Sequence, residues 1–129
     1  MNDFQTLLAD AERHKDNRCC APIAVAVLTG NKFRTVQNWF SKLGRRIGRG
    51  TPRWMTYQVL KNNGYELRRC EKMEKRFRTV RTLERNVSKR ANLLVFTRGH
   101  VLAIKNGKVQ DWTKGRLNRI QKIYIVEKA

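Results

Sequence analysis

The chain has 129 residues, 40% of them hydrophobic, with three Trp and five Phe. That is one domain's length with the apolar mass for a single core, which excludes an intrinsically disordered chain. Twenty-nine Lys and Arg against ten Asp and Glu give a formal charge of +19, so nucleic acid, an anionic membrane face or an acidic protein is attracted to it. No apolar run approaches the roughly 20 residues of a membrane-spanning helix. The longest, Ala21 to Leu28, follows an acidic, amphipathic start rather than a basic one, so an unprocessed, soluble, cytoplasmic protein is expected.

Asp3 can cap a first helix with Phe4, Leu7, Leu8 and Ala11 at helical spacing. Cys20 to Leu28 follows, with Pro22 suited to a first helical turn and Thr29-Gly30-Asn31 to a stop. Being apolar on all sides, this helix should be the central buried one, although its β-branched content also permits a strand. Thr35 is expected to cap a third helix carrying Val36, Trp39, Phe40 and Leu43. A glycine-punctuated basic loop, 44–50, leads to Thr51-Pro52, an N-cap and first-turn proline for a fourth helix through Met55, Val59 and Leu60. Tyr65 to Leu67 begins a strand. The highly charged stretch from Arg68 to Arg78 is read as strand plus solvated loop, and Val80, Leu83 and Val87 as a short helix. Four strands complete the chain: Asn92 to Thr97, His100 to Ile104, Lys108 to Asp111, and Ile120 to Val126. Helices first and strands last predict an α+β fold, one domain over 1–129, with N-terminal helices packed on a C-terminal antiparallel sheet.

Asn106-Gly107 is a strong hairpin signal, because both positions of a tight turn need positive φ. With those two residues as the turn, Ile104 faces Val109 and Leu102 faces Asp111. His100 and Asp111 are then diagonal neighbours on one face, with Cβ atoms roughly 7–8 Å apart, a gap that a carboxylate and an imidazole can close. Cys20, at the tip of a buried helix, would gain thiolate character from the helix N-terminus and from a protonated histidine. Cys20, His100 and Asp111 therefore form a candidate nucleophile, base and orienter. His14 and Asn17, shortly before Cys20, are candidates for a second oxyanion donor. Taken singly, each has a plainer reading: a small core cysteine, a solvated histidine, a turn-forming aspartate.

Three cysteines, two of them adjacent, do not make a disulfide framework, and reduced thiols in a reducing compartment are expected. A zinc site from Cys19, Cys20, Cys70 and a histidine lacks the usual Cys-x-x-Cys spacing, so no metal and no cofactor are expected.

Several motifs resemble those of one family. Cys20-Ala-Pro-Ile-Ala-Val is similar to the Cys-Gly-Pro-Ala-Ala-Leu nucleophile motif of the bacteriocin-processing, papain-like cysteine peptidases. Gly50-Thr-Pro, opening a helix that ends in Leu60-Lys-Asn-Asn-Gly-Tyr65, resembles that family's Gly-Thr-Ser helix with its Leu-x-x-x-Gly-Tyr exit. Leu93-Leu-Val-Phe96, then Gly99-His100-Val-Leu-Ala-Ile104, Gly107 and Asp111, resembles its histidine strand and following aspartate. The resemblance implies a papain-like fold, a protein or peptide substrate, and the roles nucleophile, general base and orienter for Cys20, His100 and Asp111. It departs at two places: Ala21 stands where the family has Gly, and the nearest upstream Gln is Gln5, in the first helix.

A second reading stays open beside the enzyme. A papain-like fold without catalysis could bind nucleic acid or an acidic protein, with Arg45, Arg46, Arg49 and Arg53 as one patch and Trp54 alongside for stacking. Small size, basicity and the lack of a secretion signal also suit a phage protein acting in the host cytoplasm. For the enzyme, a basic rim favours acidic protein substrates.

Overall fold

The computed structural model describes residues 4–13, 19–46, 48–110 and 119–129. Four helices come first: α1 (Phe4–Arg13), α2 (Cys20–Thr29), α3 (Phe33–Lys42) and α4 (Arg53–Asn62). Strand β1 (Tyr65–Arg69) and two short helices, α5 (Glu71–Arg76) and α6 (Val80–Asn86), follow. The chain then runs through β2 (Leu93–Thr97), β3 (His100–Lys105), β4 (Lys108–Gln110) and β5 (Ile120–Lys128). All five strands join one antiparallel sheet in the order β1-β5-β2-β3-β4. The protein is α+β, with its helices mainly N-terminal and its sheet mainly C-terminal. Among the described residues, no helix is long and apolar enough to cross a membrane.

The sheet is covered on both faces. Alternate residues Leu94, Phe96, Val101 and Ala103 pack with α1 to α4. Their neighbours Leu93, Val95, Leu102 and Ile104 pack with Phe77, Val80 and Leu83 around α5 and α6. The expectation was a sheet with one helical layer; the second layer follows from β2, whose five residues are all buried. A continuous apolar run, unlike an alternating one, has two faces to hide from water.

Helix α2 is the central element. Every residue from Ala21 to Leu28 is buried, and the helix ends where Gly30 turns left-handed at φ 71° and donates its N–H to Ala26. It packs on β3 and touches α1, α3 and α4.

Three local expectations are corrected. Helix α3 begins at Phe33, with Lys32 at the N-cap, and not beyond Thr35. Burying the Phe33 ring completely, worth about 1.5–3 kcal/mol, outweighs a hydroxyl cap worth about 1 kcal/mol. Thr51 does not cap α4, because its hydroxyl accepts from Arg45 Nε at 2.9 Å and Pro52 takes the N-cap position. In the charged stretch read as strand and loop, β1 does run through Arg68 and Arg69, but 71–76 form α5 instead of a loop. Glu74 accepts from Arg69 Nε and Nη2 at 3.0 Å each and from the Ile123 N–H at 3.0 Å, which ties that turn to β5.

The hairpin has the expected register. Asn106 and Gly107 take φ values of 52° and 77°, and Ile104 pairs with Val109. A side chain at Gly107 is doubly excluded: its Cβ would lie 2.7 Å from the Ser88 carbonyl oxygen. Strand β4 ends at Gln110, and Asp111 lies outside the described residues, as do Asp3, His14 and Asn17.

Candidate active site

Two chain segments 80 positions apart meet at one end of the α2–β3 packing. Cys20 is the first residue of α2, and Pro22 behind it has no N–H to lose. The first turn of a helix leaves its amides without intrahelical partners, and that of Ala21 is bonded to the Cys20 sulfur. His100 is the first residue of β3. It is delivered there by a two-residue turn from Thr97, its cross-strand partner, in which Gly99 takes φ 67°. Val101, one residue on, sits in the core with α2.

The imidazole of His100 is hydrogen-bonded to the Cys20 thiol. Burial pushes the thiol up, but the hydrogen bond from His100 and its positive charge, then the N–H groups of Val101 and Ala21, outweigh it. The net result is a thiol held below its ordinary value. A group charged more readily than normal, despite burial, is what a nucleophile needs near neutral pH. Cys19 is buried in the core at 3% exposure, Cys70 is half-buried at the N-cap of α5, and all three cysteines are free.

The pair opens into a cleft of about 610 Å³, walled by Thr51, Arg53 and Thr56 on one side and Phe96 and Gly99 on another. A volume of that order suits a small molecule or a few residues of an extended peptide. No carboxylate lines it among the described residues. Nor does any group of three or more His, Cys, Asp or Glu lie placed to hold a metal ion among them.

The basic cluster from Arg45 to Trp54 does not form one surface. Arg46, Arg49 and Trp54 are exposed, Trp54 at 56%. Arg45 is 6% exposed. Its bond to Thr51 makes it a brace between the loop and α4 instead of an outward phosphate contact. Arg53 turns into the cleft, its guanidinium carbon 4.9 Å above the centre of the Phe96 ring. The sequence reading assigned Arg53 to a nucleic-acid patch and overlooked Thr56 and Phe96 as cleft walls. The one available signal was spacing, since Arg53 and Thr56 stand three apart on a helix and so share a face. Backbone donors such as Val101 leave no mark in the sequence.

No protein-family model, no curated protein and no solved structure matches the chain.

Proposed function

We propose that the protein is a papain-like thiol hydrolase, a cysteine peptidase in type, with Cys20 as nucleophile, His100 as general base and acid, and Asp111 as the orienter of the imidazole. The observation that carries this reading is a thiol at a helix tip whose ionisation is favoured by a hydrogen-bonded histidine in spite of burial. A nucleophile on a buried helix and a base on the facing sheet also agree with the family resemblance in the motifs around both residues.

The chemistry follows from the groups present. The Cys20 thiolate attacks an amide carbonyl carbon, a C–S bond forms and the carbonyl π pair moves to oxygen. The N–H of Cys20 itself, at the first turn of α2, supplies a donor for this oxyanion. When the tetrahedral adduct collapses, the C–N bond breaks and the departing amine takes the proton from the His100 imidazolium. Water then attacks the thioester while His100 accepts its proton, releasing the carboxylic acid and restoring the thiolate–imidazolium pair.

The test is alkylation by iodoacetamide at neutral pH, mapped by mass spectrometry on the folded protein. Cys20 should be modified well ahead of Cys70, and Cys20→Ala should abolish the fast phase. Equal rates at the two cysteines would remove the enzyme and leave a cationic binding protein.

A further inference from the structure

Resting on that reading, we propose that the cleft selects peptides carrying an acidic side chain one or two residues from the scissile amide, and that Arg53 is the group that reads the carboxylate. Among the described residues no carboxylate pairs with Arg53, and none lines the cleft. The Cys20–His100 pair is neutral as a unit whether their shared proton sits on sulfur or on nitrogen. Arg53 is therefore a standing charge in a cavity that offers it no counter-ion from those residues, and a bound anion supplies one.

The guanidinium is fixed before any ligand arrives. One face stacks on Phe96, whose ring is gripped edge-on by Tyr57 and Tyr124 at centroid separations of 5.6 and 6.1 Å. Nη2 donates to the Gln121 side-chain carbonyl. Gln121 is the extra residue of a bulge in β5, where the pairing steps from Phe96–Lys122 to Thr97–Ile120. Bulges re-aim a side chain that a regular strand would place elsewhere. Holding an arginine fork in place lowers the ordering cost of binding a planar carboxylate. Thr56, three residues on along the same helix, forms part of the same cleft wall.

The cleft sets the distance. Phe96 pairs directly with Val101, whose N–H holds the Cys20 sulfur. Cys20 and Arg53 line one cleft of about 610 Å³, roughly 10 Å across if taken as a sphere. An extended peptide advances about 3.3–3.6 Å per residue, so a side-chain carboxylate spans that gap from one or two residues away. A polynucleotide phosphate would meet the same arginine, but a thiolate beside it has no carbonyl to attack.

The test uses the full chain with two matched affinity labels, N-acetyl-Asp-Gly chloromethyl ketone and its Asn counterpart. In each, the Cys20 sulfur displaces chloride and forms a thioether. Both labels meet the same thiol, so any change in its reactivity cancels in the ratio of their rates. The wild-type Asp/Asn ratio should be about tenfold at low salt, the scale of one charge-assisted contact. It should fall to near one in Arg53→Gln and to an intermediate value in Arg53→Lys, which keeps the charge and loses the fork. Melting curves verify that the variants are folded. A wild-type ratio near one, with Cys20 still fast toward iodoacetamide, overturns the proposal and spares the hydrolase reading. A high ratio that survives Arg53→Gln assigns the preference to the general positive field and overturns it too. Protection of Cys20 by a short oligonucleotide and not by an acidic peptide assigns the cleft to nucleic acid, with the same result. Slow Cys20 alkylation by iodoacetamide sinks the hydrolase reading itself.

Discussion

Replacing His100 by Ala separates the two jobs assigned to the imidazole. Burial alone raises the Cys20 thiol; the bond and charge of His100 are the two largest influences that bring it down, with the amides of Val101 and Ala21 behind them. His100→Ala leaves burial opposed by two amides, so the thiol titrates at higher pH and less thiolate exists near neutrality. The scarcer thiolate is also the better nucleophile. With a Brønsted slope of about 0.4–0.5, each tenfold loss of thiolate lowers the alkylation rate only about threefold. Turnover loses proton transfer besides, worth about 10²–10⁴-fold. The assay is the pH profile of iodoacetamide alkylation, run beside p-nitrophenyl acetate hydrolysis, whose burst reports acylation and whose steady state reports thioester hydrolysis. The alkylation midpoint should move up with a modest rate loss at neutral pH, while the steady state falls by two orders of magnitude or more. The same shift carries a stability sign: a thiol lowered in the folded state adds stability above the ordinary thiol range, lost as pH falls through the folded value. Wild type should therefore gain on Cys20→Ser as pH rises from neutral to alkaline. If His100→Ala alkylates with an unchanged midpoint, the histidine does not act on the thiol and the mechanism fails.

Two further predictions concern the scaffold. Gly107→Ala forces a Cβ onto φ 77° and against the Ser88 carbonyl and Lys89 Cα at 2.7 and 2.9 Å, and should cost about 2–4 kcal/mol; an unchanged denaturation midpoint would mean the 88–89 loop yields freely. For Glu74, burial raises the carboxyl, but the Arg69 hydrogen bond, the Ile123 N–H, and the charges of Arg69 and Lys122 bring it below the usual carboxylate range. Its stability contribution is thus present above that range and lost as pH falls through the folded value. Glu74→Gln should melt below wild type at neutral pH and match it in strong acid, and a gap that does not depend on pH would refute the assignment.

The parts of this protein that are written locally could be read locally. The Asn106-Gly107 turn fixes the β3–β4 register because two adjacent positive φ values demand such residues. The all-apolar run after Cys20 is the expected buried helix, although its β-branched residues also suit a strand, and Gly30 ends it. Where local signals competed with burial, burial decided: α3 reaches back to enclose Phe33, and Arg45 takes the Thr51 hydroxyl that would have capped α4. Helix α5 was illegible because its anchors, Arg69 and the Ile123 amide, lie on strands on either side of it.

By itself, then, the sequence determined residue chemistry, the elements other than α5 and their order, and one strand register. Tertiary structure alone decided that a thiol and an imidazole 80 positions apart share a hydrogen bond, and that Arg53 faces a cleft instead of open solvent. Both depend on how α2 and α4 seat on the sheet. That seating is a sum of many small apolar contacts over both faces, and no short stretch of chain encodes it.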